Sequence, residues 1–123
     1  VTFSVSRHFG VPAEQAWAVL ADVGYWPVWG PSVRSAVLSA ASLGPDSSGT
    51  VGTALGLRLP FRVTSFEPGR YWAWSVAGVA ATGHRVTPEA GGCRVTFTVP
   101  WWAPAYLAVC CLALRRLARL LAA

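Results

Sequence analysis

Hydrophobic and polar positions alternate from Thr2 to Phe9, with Phe3, Val5 and Phe9 on one face and Ser4, Ser6 and His8 on the other. This period of two predicts a half-buried strand. The period then lengthens: Ala13, Ala16, Trp17 and Leu20 recur at i, i+3, i+4 and i+7, which predicts an amphipathic helix ending near Asp22 to Gly24. Pro12 suits the first turn, where its missing N–H costs nothing, and Glu14 stands where the helix dipole favours negative charge. A second helical turn is predicted over Tyr25 to Trp29, before Gly30 and Pro31 break it.

Strand patterns dominate the middle of the chain. Val33 to Leu38, Thr50 to Leu57, Pro60 to Phe66, Tyr71 to Val79, Ala81 to Pro88 and Cys93 to Val99 read as successive strands. Ala41 to Gly49 reads as a polar, mobile loop, while Glu67-Pro68-Gly69 and Glu89-Ala90-Gly91-Gly92 read as tight connectors. Short connections between consecutive strands predict a meandering antiparallel sheet. From Ala103 or Pro104 the pattern is helical again, with Leu107, Cys110, Leu114, Leu117 and Leu121 as its stripe and Arg115 and Arg119 opposite.

A chain of 123 residues supports one domain, 1–123, with one core. Hydrophobic residues make up 54% and charged residues only 12%, so either the core is large or some apolar surface faces a ligand, a partner or a membrane. The net charge of +5 comes from scattered arginines. Only Arg115, Arg116 and Arg119 cluster, and no basic motif interleaved with aromatics accompanies them, so nucleic-acid binding is not expected. Cys93 falls on a strand, and Cys110 and Cys111 are helix neighbours pointing about 100° apart, a spacing that suits neither a disulfide nor zinc. No metal-ligand cluster, phosphate-binding glycine loop or nucleophile elbow is present, so neither metal nor cofactor is expected.

The residues Val11-Pro12-Ala13-Glu14 with Trp17, Asp22 followed by Trp26-Pro27-Val28-Trp29, and Val51-Gly52-Thr53 come in a telling order. Phe66-Glu67-Pro68-Gly69-Arg70 with Trp74, His84 with Pro88, and Gly91-Gly92-Cys93-Arg94-Val95 follow them. Over nearly its whole length the chain resembles the SRPBCC superfamily, the START-like polyketide cyclase/dehydrase and lipid transport proteins. The resemblance implies an α+β helix-grip fold: about seven curved antiparallel strands around a long C-terminal helix, two short helices after the first strand, and an apolar cavity between sheet and helix. It does not imply one reaction, since sites are grafted onto folds.

Trp72 and Trp74 share a strand face, and Trp26 and Trp29 read as a clamp at the rim and lid of such a cavity. Phe61, Phe97 and His84 are expected to line it from the sheet, and Leu107, Cys110 and Leu114 from the last helix. His84 is also the candidate general acid–base, with Tyr25 or Thr82 as helper. Three function classes follow. The first is binding of an apolar or aromatic small molecule, lipid-like or polyketide-like. The second is a cyclase or dehydratase using His84. The third is an accessory protein that meets a membrane surface or a second copy through Trp101, Trp102 and the last helix. Trp101 to Leu114 carries no charge, but it is shorter than the roughly 20 residues a spanning helix needs. No charged-then-apolar leader opens the chain, so a cytoplasmic setting is expected, with peripheral membrane contact under the third reading.

Overall fold

The computed structural model describes residues 2–39 and 42–122. These residues build one antiparallel sheet from β1 (Thr2–Phe9), β2 (Val33–Leu38), β3 (Ser48–Thr53), β4 (Arg58–Glu67), β5 (Tyr71–Val76), β6 (Val79–Glu89) and β7 (Gly92–Pro100). The strand order is β1-β7-β6-β5-β4-β3-β2, a meander closed by the first strand pairing with the last. Helix α1 (Ala13–Ala21), a 3-10 turn (Val23–Tyr25) and α2 (Trp26–Trp29) link β1 to β2; a second 3-10 turn (Pro104–Tyr106) leads into α3 (Leu107–Ala122). This is the expected α+β helix-grip architecture.

Register shifts between Val33 and Ser35, Val63 and Ser65, and Ala73 and Ser75 interrupt the ladders of β2, β4 and β5 with their neighbours. Bulges of this kind bend strands and raise their twist, which curves the sheet toward the helices. Helix α3 packs against β1, β7 and α2, burying Cys110, Ala113, Leu114, Leu117 and Leu121, while Arg115 and Arg119 stay exposed. Helix α1 buries Ala16 and Leu20, and half-buried Trp17 meets Phe66 edge-on at 5.8 Å.

Several boundaries differ from the periodic pattern. The strand expected over Thr50 to Leu57 runs from Ser48 to Thr53, because the chain turns at Ala54–Leu57, where Gly56 takes a φ of 86° and its N–H bonds the Thr53 carbonyl. The strand expected over Tyr71 to Val79 stops at Val76. Val76 pairs with Val79 across a two-residue turn, with Ala77 at φ 52° and Gly78 at φ 80°. That is the left-handed geometry that matches hairpin twist, and alanine in its first position hides it from a reading of turn residues. Of the polar loop, Ala41 lies outside the described residues, and Ser48 and Gly49 belong to β3. At the β6–β7 connection Gly92 takes a φ of 151°, and a Cβ there would stand 2.0 Å from the Phe9 carbonyl oxygen, so this position admits only glycine.

Candidate functional site

The site is built on β5 and β6. Trp72 pairs with His84 across the two strands, and the side-chain alternation sends Trp72 and Trp74 from β5, and Thr82, His84 and Val86 from β6, to the buried side. Ala73 pairs with Gly83 and Ser75 with Ala80, so Ala81 and Thr82 together stand opposite Trp74. This bulge sets the Thr82 hydroxyl against the Trp74 indole.

A closed hydrogen-bond chain results. Trp74 Nε1–H donates to Thr82 Oγ1 at 3.1 Å, and Thr82 Oγ1 lies 3.0 Å from His84 Nε2. His84 Nδ1 lies 3.2 Å from the Trp72 carbonyl oxygen, which only accepts, so Nδ1 carries the proton. Nε2 of a neutral ring is then an acceptor, filled by the Thr82 hydroxyl. Burial holds the His84 pKa down to about 3, against a weaker raising effect of the Trp72 carbonyl. The imidazole is neutral at physiological pH.

The aromatic rings form a continuous stack. Trp26 lies on Trp72 with centroids 4.8 Å apart and 10° between planes, and Trp72 lies on His84 at 3.9 Å and 23°. Trp29 and Phe97 meet His84 edge-on at 5.8 and 5.0 Å. Trp26 and Trp29, expected as a clamp at the rim and lid, are both buried, at 1% and 5% exposure. The i, i+3 spacing of α2 turns both indoles onto the sheet, leaving Val28 outside.

Two adjoining chambers lie on the inner face of the sheet, the inner one reaching α2 and α3 and the outer one bounded by the β3–β4 turn and the Pro100–Tyr106 segment. The inner one, with a cavity volume of about 30 Å³, is lined by Trp26, Trp29, Trp72, Trp74, His84, Phe97 and Cys110 among the expected residues, and by Ser32, Thr82, Tyr106, Val109 and Ala113 besides. The outer one, about 280 Å³, is lined chiefly by Val51, Leu55, Val76, Ala81, Val99, Pro100 and Ala103. Ser32, Val33, Trp74, Thr82 and Tyr106 border both. Neither is lined by a charged side chain.

Three expected lining residues stand elsewhere. Phe61 is buried one rank back, packed on Trp26 at 5.5 Å and on Trp74 at 5.5 Å. Leu114 is buried in the core away from both chambers, and Leu107 is half-buried outside them. The α3 positions that reach the inner chamber are Val109, Cys110 and Ala113, one flank of the buried stripe formed by Cys110, Leu114, Leu117 and Leu121. Tyr25, named as a helper, is 42% exposed and lines neither chamber. Ser32 and Tyr106 hydrogen-bond each other across 74 residues of sequence, and nothing local marks either one.

Titration leaves the walls uncharged at neutral pH. Burial pushes the Cys110 thiol up to about 11, so it is no nucleophile, and burial likewise raises the Tyr106 hydroxyl above its ordinary value. Cys93, Cys110 and Cys111 are all free thiols. The carboxylates lie elsewhere: Asp22 accepts from Gly24 N–H, Asp46 pairs with Arg62, Glu67 with Arg85, and Glu89 with His8 and Arg94. Among the described residues no group of three or more His, Cys, Asp or Glu is placed to hold a metal ion, and no helix is long and apolar enough to cross a membrane.

Solved structures share this fold. A Mesorhizobium loti protein superposes with a TM-score of 0.78 at 14% identity, covering 98% of this chain and 96% of that one. A Bacillus thuringiensis protein gives 0.75 at 16% identity with both chains fully covered, and a Thermobifida fusca protein 0.75 at 18%, covering 98% and 92%. No curated protein sequence matches the chain. The family model described as polyketide cyclase / dehydrase and lipid transport matches residues 1–121, and the chain belongs to that family.

Proposed function

We propose that the protein binds an apolar small molecule, lipid-like or polyketide-like, in these two chambers on the inner face of the sheet. The observation that carries this reading is the outer chamber: about 280 Å³ of space with almost wholly apolar walls, at the lower edge of the usual size for small-molecule sites. His84 supports recognition over acid–base chemistry, since both ring nitrogens are engaged and burial keeps the ring neutral. A ligand entering the outer chamber meets Trp74, so it is expected to quench intrinsic fluorescence. Titration with fatty acids, polyphenols and polyketides checks this. Ala81→Phe, which sets a ring into the outer chamber, is expected to weaken binding at least tenfold with an unchanged circular dichroism spectrum. No quenching across the panel, together with no extractable apolar ligand in freshly purified protein, sinks the reading.

A second reading concerns the mouth of the outer chamber. The sheet register brings Phe3, the Leu55 and Leu57 turn, Val79, Trp101 and Trp102 to one end of the sheet, and all six side chains are exposed. Exposed Arg34 and Arg58 stand at the same end, whereas Asp46, Glu67 and Glu89 belong to the opposite end of the strands. An apolar rim with arginines and interfacial tryptophans fits an anionic lipid surface. The protein is expected to float with phosphatidylglycerol vesicles and to lose most of that binding in the Trp101→Ala/Trp102→Ala variant. Equal flotation of the two proteins, or none, or a rim occupied by a second copy in sedimentation, overturns this reading.

A further inference from the structure

Ser32, Val33, Trp74, Thr82 and Tyr106 border both chambers and so form the waist between them. Four of the five pair off by hydrogen bonds. On the sheet side Trp74 Nε1–H donates to Thr82 Oγ1 at 3.1 Å, and both residues are buried in strands of the sheet, at 9% and 8% exposure. That side is fixed. On the other side the Ser32 and Tyr106 hydroxyls bond each other, and both residues are half-buried in connections: Ser32 between α2 and β2, Tyr106 in the 3-10 turn before α3. Ser32 is held in place, since its carbonyl accepts from Ala54 N–H at 3.0 Å and the next residue opens β2. Tyr106 is not. Among the described residues its bond to Ser32 is the only hydrogen bond from the Trp101–Tyr106 segment across to the α2–β2 connection or the β3–β4 turn. Bonds between half-exposed hydroxyls exchange for bonds to water at small net cost. The waist can therefore open on one side only, by movement of Tyr106 away from Ser32.

We infer that the Ser32–Tyr106 pair is a gate at this waist that selects apolar ligands by length. The inference deepens the binding reading above and rests on it. With the bond closed, a chain fills the outer chamber alone, because the inner chamber offers about 30 Å³, room for about one water-sized group. A longer chain passes the waist only after Tyr106 swings off Ser32, which also makes the room it needs. Beyond the waist stand Trp26, Trp29, Trp72 and Phe97, whose rings give each further methylene apolar contact. Opening thus costs one hydrogen bond, and the extra length of the ligand repays it. A short ligand gains nothing from opening, so the gate leaves its affinity alone.

The test follows straight-chain alcohols from hexanol to tetradecanol by calorimetry and native mass spectrometry. In the parent protein affinity is expected to rise about fourfold per methylene, pause where the chain meets the waist, and then rise again. Ser32→Ala and Tyr106→Phe each delete one hydroxyl and keep the packing. Each is expected to remove the pause and to bind tetradecanol about three- to tenfold more tightly than the parent, with hexanol changed by less than about twofold. The double variant is expected to gain no more than either single one, because both remove the same bond. A parent profile without a pause, hexanol and tetradecanol affected alike, or additive effects of the two substitutions overturns the gate and leaves the apolar binding reading intact. Failure of every alcohol to bind the parent removes the binding reading and the gate with it.

Discussion

Trp26→Ala is expected to lower the unfolding free energy by about 3–5 kcal/mol, a large share of the roughly 5–15 kcal/mol that holds a domain together. Trp26 is 1% exposed and touches three other aromatic rings: Trp72 in a parallel stack at 4.8 Å, Trp74 edge-on at 5.2 Å and Phe61 tilted at 5.5 Å. Its Nε1–H also donates to the Leu20 carbonyl at 2.9 Å, tying α2 to the end of α1. Alanine removes the transfer energy of the indole, leaves a cavity beside the inner chamber and strands the Leu20 carbonyl. Trp26→Phe keeps a ring in the stack and loses the hydrogen bond, so its cost is expected near about 1–2 kcal/mol. Exposed Trp101→Ala is expected to stay within about 0.5 kcal/mol of the parent. Urea unfolding of the three variants separates these effects; a Trp26→Ala cost below about 1 kcal/mol removes the stack from the centre of the fold.

Acid is expected to destabilise the protein well above the range where carboxylates titrate. The unfolded chain protonates His84 below its ordinary pKa of 6.5, whereas the folded chain does so only near 3. Between those values the unfolded state binds the extra proton, so the stabilisation is complete above pH 6.5 and is lost as pH falls toward 3. The loss amounts to about 2 kcal/mol by pH 5. Glu89, held below its ordinary value by the hydrogen bond from His8 and by Arg94, adds its own loss at lower pH, and His8→Gln separates the His8–Glu89 pair from His84 between pH 7 and 5. Denaturation across that window is expected to show the slope in the parent and in His8→Gln, and a flat, lower stability in His84→Gln. A flat parent profile contradicts a buried, neutral His84.

Much of this architecture is legible in local pattern. The period-two run of Thr2 to Phe9, Pro12 at the start of α1 and the turn residues around Gly69 and Gly91 each act over a few neighbours, and the structure follows them. The inward face of β6 was legible too, since Thr82, His84 and Val86 alternate with Gly83 and Arg85. The turn at Ala77–Gly78 was not, because alanine in a left-handed conformation leaves no mark in composition. Nor was the contribution of α3 to the inner chamber, since Val109 and Ala113 flank the buried stripe and only the packing of the helix decides which flank meets the chamber.

The order of elements and the apolar face of each are already present in the sequence, because hydrophobic period and turn chemistry are properties of short windows. The burial of Trp26 and Trp29, the tautomer of His84 and the meeting of Ser32 with Tyr106 are set by long-range packing. Those outcomes depend on strand register, on one bulge opposite Trp74 and on rings brought together from distant segments, and no local window carries that information.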